Sequence, residues 1–381
     1  MLLIKNGIIH DAIHPTPYTA DILIENGKIS AIAPHIESAD AQVYDAQGMD
    51  IYPGFIDAHT HLGMFGYSGY LSQDDVEKGE RCAPHHRAID CINPLEDSFE
   101  AARRGGVTTV CIAPGSVSCI GGSAVVMKTH GYRIDDMVMK NPAAMKIAFG
   151  ENPKSTLTDK LTTRMSIAAA IRDTLYFAKE YEEKKRLAGN DRAKLPPYSP
   201  KYEALIPVIR KEIPLKAHCQ RSDDIFTAIR IAKELDVNLT LEHVHDGGLI
   251  AKDLAKEGYP IVLGPYTSQP KKAEGMHRSP ADAIKLIEAG CCVSVMTDSP
   301  ITAEDYLPVC AGLIMREGLS EFEALKTITI NPARHLGVED RVGSIEVGKD
   351  ADFVLAHGCP METSVCPQVV FGDGEIIFEK A

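Results

Sequence analysis

The 381-residue chain has no C-x-x-C pair among its ten cysteines, no internal repeat and no low-complexity tract. Cysteines scattered in this way build no disulfide framework and read as reduced thiols. No apolar run approaches the ~20 residues needed to cross a bilayer, which excludes a helical membrane span. Basic residues are outnumbered, giving a formal net charge of −13, whereas a nucleic-acid partner normally demands a basic surface. The first residues carry no basic stretch followed by an apolar one, so a cytoplasmic setting is expected. The charged cluster Lys179 to Arg186 reads as a solvated helix face, and the pair Cys291-Cys292 as small apolar packing at the start of a buried strand.

What is present is an ordinary globular composition, 44% hydrophobic, on a chain long enough for one large domain and a smaller one. The first fifty residues are short strands broken by turns, with Asn26-Gly27 between two apolar runs as a hairpin signal. From Phe55 the pattern changes to strand-like runs alternating with helical stretches. Eight runs stand out, near 55–61, 107–113, 123–129, 144–149, 214–218, 238–243, 260–264 and 291–297. That alternation predicts a (β/α)8 TIM barrel, class α/β. After about residue 345 the β pattern returns. Residues 1–50 and 345–381 are therefore expected to form one small β-sandwich domain, with the barrel of residues 51–344 inserted into it. Residues 64–98, with Gly66, Gly69, Asp74, Asp75, Pro84 and the pair His85-His86, read as a long loop over the barrel mouth. Residues 152–200 hold a helix and a polar, proline-containing stretch ending at Pro196-Pro197, and read as an insertion or lid.

The stretch Pro53-Gly54-Phe55-Ile56-Asp57-Ala58-His59-Thr60-His61 carries the chemistry. Two histidines two positions apart on a strand point to one face and offer two metal ligands. Alone, among fourteen histidines, this signal is weak. Three further apolar runs also end on ligand-type residues, at His218, His243 and Asp298. Active sites of such barrels lie at the C-terminal strand ends, where all five residues fall. Imidazole and carboxylate donors suit zinc, with manganese and iron as alternatives.

With these residues in view, the chain resembles the amidohydrolase superfamily, and within it the imidazolonepropionase-related group. The likeness rests on the Pro53 to His61 motif, His218, His243, Thr297-Asp298, and the late segment Asn331-Pro332-Ala333-Arg334-His335-Leu336-Gly337 continued by Val342 to Val354. It implies a barrel carrying one or two divalent metals, with hydrolysis of amide or related C–N bonds in a small molecule. It also implies a further ligand from the middle strands. Glu151, at a strand end and needing no modification, is favoured; Lys146, carboxylated on its amine so as to bridge two ions, is the alternative. A metal held by such a set lowers the pKa of its water from 15.7 toward ~7. Asp298 then serves as general acid and base, while His243 either binds metal or polarises the carbonyl. His245 is substrate-facing or exposed, and His85 and His86 either reach the site or sit in solvent. His277, His335 and His357 lie outside the strand ends. Arg221, Lys154 and Arg164 are candidate substrate contacts, each more simply read as a surface charge. Gly115-Ser116 and Gly121-Gly122-Ser123 lack the lysine of a phosphate loop and read as tight turns. The competing functions are a metal-dependent deaminase on the same barrel and a non-catalytic scaffold. Oligomeric state is left open.

Overall fold

The computed structural model describes residues 1–65, 74–156, 163–268 and 272–381, so Gly66 and Gly69 of the long loop lie outside it. The chain opens with β1 (Leu2–Ile9), β2 (Tyr18–Glu25), β3 (Lys28–Ala33), β4 (Gln42–Asp45) and β5 (Asp50–Pro53). The Asn-Gly signal is realised: Asn26 and Gly27 take φ of 51° and 75° between β2 and β3, the double left-handed geometry that matches strand twist in a two-residue hairpin. β1 runs antiparallel to β2 and parallel to β4 and β5.

The second sheet contains β6 (Phe55–Thr60), β7 (Val107–Ile112), β8 (Ile120–Lys128), β9 (Val138–Ala148), β10 (Leu215–Cys219), β11 (Leu239–His243), β12 (Ile261–Leu263) and β13 (Val293–Val295), hydrogen-bonded in chain order. All eight expected runs are strands. One departs from the expected alternation, because β8 is antiparallel to both β7 and β9. The links at 113–119 and 129–137 explain this, since a parallel crossover needs about a dozen or more residues. β6, β7, β8, β10, β11, β12 and β13 are buried along their whole length, as expected of strands covered on both faces. The sheet nearly closes: no ladder joins β13 to β6, and Asp57 bridges the gap instead. Its Oδ2 accepts from the Thr297 amide at 2.8 Å and the Thr297 hydroxyl at 2.6 Å.

Helices cover the outside of this sheet, α1 (Asp97–Arg104), α2 (Ile134–Met137), α3 (Glu151–Thr156), α4 (Arg164–Ala188), α5 (Pro200–Ile209), α6 (Ser222–Leu235), α7 (Ala251–Glu257), α8 (Ala281–Glu288), α9 (Leu307–Arg316), α10 (Glu321–Thr327) and α11 (Ile330–Leu336). α4 corrects the reading of 152–200 as an insertion or lid. Its start is capped by reciprocal Thr163 and Ser166 bonds. Its buried Ile167, Ile171, Leu175 and Ala178 recur at helical spacing and join the barrel core. It is thus part of the outer helical layer. Cys292 is exposed, against the expected buried pair. Among the described residues no helix is long and apolar enough to cross a membrane.

β14 (Phe353–Ala356), β15 (Val369–Gly372) and β16 (Glu375–Glu379) complete the first sheet, in the order β16, β15, β14, β5, β1, β2, β3 with β4 beside β1. The β14–β5 ladder is where the two ends of the chain meet. Ile4, Ile9, Ile22, Ile29, Ile51, Phe353 and Phe371 form a separate core there. Lys128, at the end of β8 and only 4% exposed, ties this sheet to the other. Its ammonium lies 2.7 Å from Asp352, 3.0 Å from Asp373 and 3.1 Å from Asp350.

Replacing Lys128 by alanine leaves buried Asp352 without its cation, while Asp350 keeps Lys28 and Arg341 and Asp373 keeps His130. A loss of about 3–5 kcal/mol in unfolding free energy is expected, the range for breaking a buried ion pair from one side. Urea unfolding of Lys128→Ala measures it, and a loss below about 1 kcal/mol would show that the cluster is not what joins the sheets.

Candidate metal centre

The residues expected at the strand ends do gather. His59 is the last residue but one of β6 and His61 directly follows that strand; His218 lies near the end of β10, and His243 ends β11. Asp298 comes three residues after β13. His59, His61, His218 and His243 are 0%, 8%, 3% and 3% exposed. His243, Val244 and Asp298 take φ of 74°, 45° and 53°, a region that non-glycine residues, and β-branched ones above all, enter at a cost. Two of the proposed ligands, His243 and Asp298, thus sit on strained backbone.

Ligand atoms of His59, His243 and Asp298 all lie within 4.8 Å of one another. His61 Nε2 is 3.4 Å and His59 Nε2 3.7 Å from Asp298 Oδ1. The His218 ring meets the His243 ring edge-on at 4.2 Å between centroids. The outer partners decide which ring nitrogen carries hydrogen. His59 Nδ1 donates to Glu242 Oε2 at 3.0 Å, His61 Nδ1 to the Ala113 carbonyl at 2.7 Å, and His243 Nδ1 to the Gly264 carbonyl at 3.1 Å. Each ring therefore turns a lone pair on Nε2 toward the cluster. His218 meets the Asn152 side-chain amide through Nε2 at 3.3 Å. His243 Nε2 and His218 Nδ1 are buried without a hydrogen-bond partner. Burial, helped by the Lys146 charge, holds His59, His218 and His243 well below the ordinary imidazole pKa. Neutral rings with inward lone pairs beside a carboxylate are the donor set that a divalent cation requires.

The mid-barrel position comes out differently from the favoured expectation. Gly150 turns the chain at φ 82°, and α3 begins at once, so Glu151 leaves the strand line. Its carboxylate meets Lys154 at 3.2 Å and Arg164 at 3.1 Å, and its amide donates to Glu274 at 2.9 Å. The structure does not bring Glu151 to the cluster. Lys146, fully buried on β9, does reach it, with Nζ 2.9 Å from His59 Nε2. Its neighbour in register, Lys216, is paired with Glu242 at 2.9 Å. Among the described residues Lys146 has no carboxylate within ion-pair distance, and burial pushes its pKa down to about 8.

Other candidates separate as well. His245 is 5% exposed, its ring 5.9 Å from that of His243. His85 and His86 gather with Glu80 in a second group on the overhanging loop. His277 pairs with Asp246, His335 with Ser294, and the His357 Nδ1 donates to the Gly48 carbonyl. Arg221 is paired with Asp223, Lys154 with Glu151, and Arg164 with Asp224 and Glu151. Gly122, at φ 126°, lets the loop approach: a Cβ there would lie 2.5 Å from the His86 carbonyl oxygen. Sequence reasoning passed over Glu242, Asp57 and Glu304. Glu242 stood next to His243 in the run Leu239 to His243, and a buried acid adjoining a ligand was the available signal.

Residues 203–377 match the profile described as Amidohydrolase family. A solved amidohydrolase of Thermotoga maritima MSB8 is 38% identical, superposes with a TM-score of 0.97, and is matched over 100% of both chains. "Amidohydrolase tasK" of Hapsidospora irregularis is 27% identical over 95% of this chain, which spans 40% of that relative's length. A dihydroorotase of Elusimicrobium minutum (strain Pei191) is 24% identical over 93% of this chain and 87% of its own.

Glu242→Gln keeps an oxygen for Lys216 but removes the charge that orients His59. Metal affinity is expected to fall about 10–100-fold, the usual cost of losing such a support. Competition against a chelator checks this, and unchanged affinity would remove Glu242 from that role.

Proposed function

Because the chain belongs to the amidohydrolase family, we propose that it is a metal-dependent hydrolase of carbon–nitrogen bonds other than peptide bonds, acting on a small amide or cyclic amide. The observation that carries this reading is the convergence of four imidazoles and Asp298 at the strand ends, each ring of the three with assigned tautomers turning a lone pair inward. His59, His61, His218, His243 and Asp298 would hold the ions, with zinc suited to the nitrogen and oxygen donors and manganese or iron as alternatives. A divalent ion bound there supplies Lewis acidity toward the scissile carbonyl and makes hydroxide available near pH ~7.

Lys146, rather than Glu151, supplies the mid-barrel ligand in this reading. Its pKa near 8 keeps the neutral amine accessible at physiological pH. The amine nitrogen would form a bond to the carbon of CO2 and release a proton, giving a carbamate that would offer carboxylate-type oxygens to the divalent ions. The bridging ligand is what favours a hydrolase over the single-ion deaminase. A scaffold that had lost catalysis would have no need of a full donor set.

Asp298, with its side chain 14% exposed, stands where solvent can still reach it. Its carboxylate removes a proton from the attacking water and returns it to the leaving nitrogen, which departs poorly as an anion. Neutral His218 and His243 add no positive charge of their own. The remaining parts of the reading are a complete barrel over 51–344 with a β-sandwich from 1–50 and 345–381, and a cytoplasmic setting. Imidazolone and hydantoin-like rings and N-acyl amides form the substrate panel.

Metal analysis combined with intact mass, under conditions that preserve a carbamate, is expected to give two ions per chain and a gain of one CO2, both lost in Lys146→Ala. A single ion with no mass gain would overturn the Lys146 assignment. Asp298→Asn is expected to lower kcat by about 10²–10⁴-fold with metal retained. Unchanged turnover on the panel would take Asp298 out of proton transfer.

A further inference from the structure

A second group of metal-type donors stands on the loop that follows β6 and shares no residue with the cluster at the strand ends. Ligand atoms of Glu80, His85 and His86 all lie within 4.8 Å of one another. A tight turn brings the two histidines together. Pro84 occupies its second position, and the His86 amide closes it by donating to the Ala83 carbonyl at 3.1 Å. On a strand, consecutive side chains point to opposite faces. Here the turn sets the His85 and His86 rings 4.7 Å apart between centroids.

The backbone of this turn is held against β8 and the link before it. The Ala83 amide donates to the Ile120 carbonyl at 2.8 Å, the Cys119 amide to the Arg81 carbonyl at 2.8 Å, and the Ser123 amide to the His86 carbonyl at 2.9 Å. The Ser118 hydroxyl donates to the Glu80 carbonyl at 2.8 Å. The three donors therefore stand on backbone that is fixed by other contacts. Their side chains are the unsatisfied part. Among the described residues neither imidazole has a hydrogen bond or an ion pair, and His85 Nδ1 is buried without a partner. A buried polar atom of this kind calls for one. Glu80 meets the Lys201 ammonium through Oε1, which leaves its second oxygen to offer, and ligating carboxylates ordinarily keep such outer partners. Glu80 lines a surface cavity of about 800 Å³, and His85 and His86 line one of about 330 Å³, so an ion has a path to the group.

We propose that Glu80, His85 and His86 form a second divalent-metal site, suited to zinc, on the loop over the barrel mouth. Two imidazoles and one carboxylate are a set that zinc takes, with solvent in the fourth position. Around a tetrahedral ion such donors stand ~3.4 Å apart, so side-chain shifts of ~1 Å close the site. The ion would supply the partner that the two rings lack. It would also fasten the loop, which already touches β8 and, through Glu80 and Lys201, the first turn of α5. This site stands independently of the hydrolase reading.

The test is zinc content per full chain after equilibration in a zinc buffer, for wild type, Glu80→Gln, His85→Asn and His86→Asn, with circular dichroism confirming that each variant folds. Wild type is expected to hold one ion more than the variants, whose affinity for that ion falls at least about tenfold. The result is a difference between chains, so the number of ions at the strand ends does not enter it. Failure of the hydrolase reading would show as absent turnover and would leave that difference in place. Equal zinc content in wild type and the folded variants would overturn the proposal. A wild-type crystal grown with zinc gives a second measurement that needs no variant to fold. An anomalous-scattering peak among Glu80, His85 and His86 supports the site, whereas a peak at the strand ends with none on the loop would overturn it.

Discussion

The centre depends on a carboxylate that is not one of its proposed ligands. Asp57 is fully buried, one oxygen accepting the His59 amide at 2.9 Å and the other the amide and hydroxyl of Thr297. It therefore joins the first strand of the barrel sheet to the segment after the last, where no backbone ladder does so. The His61 amide adds a bond to the Ser299 carbonyl at 2.9 Å. Glu304 lies against the same junction, its Oε2 accepting from the Thr60 hydroxyl at 3.1 Å and lying 3.0 Å from Thr297 Oγ1, whose hydrogen goes to Asp57. Burial and then the Asp57 charge raise the Glu304 pKa well above the carboxylate range, and burial lifts Asp57 to about 6. Of the two buried acids, Glu304 is thus the one that holds its proton more tightly. His59 and Asp298 sit next to each other because this junction brings opposite edges of one sheet together.

Around that clasp, proton placement does the rest. Glu242 fixes the hydrogen of His59 on Nδ1, and two backbone carbonyls do the same for His61 and His243. Burial removes the option of charging the rings, so their lone pairs stay available. Glu242 also neutralises Lys216, which leaves Lys146 the uncompensated member of two lysines in register. One buried acid thus sets both the orientation of a ligand and the difference in character between two neighbouring amines.

The strand ends were legible in the sequence because an apolar run stopping on a histidine or aspartate survives any detail of topology. The Asn26-Gly27 hairpin was legible because only that backbone suits it. The direction of β8 was not, since a strand has the same period whichever way it runs, and the length of the links on either side was the only clue. Nor was the choice between Lys146 and Glu151. Lys146 lies inside the apolar run and Glu151 at its end, and the decision is made by Gly150, whose left-handed turn starts a helix and rotates Glu151 out toward Arg164. A lid was expected over 152–200 because the polar stretch ending at Pro196-Pro197 follows the helix, whereas the helix itself buries Ile167, Ile171, Leu175 and Ala178 on one face.

The charges of the loops complete the division between scaffold and site. Arg164 holds Asp224, Glu151 and Glu274 together, which locks the loop after β9 to the start of α6 and to the loop after β12. One guanidinium serves three carboxylates there, with Lys154 supporting Glu151, so Glu151 is held by the scaffold and turned away from the cluster.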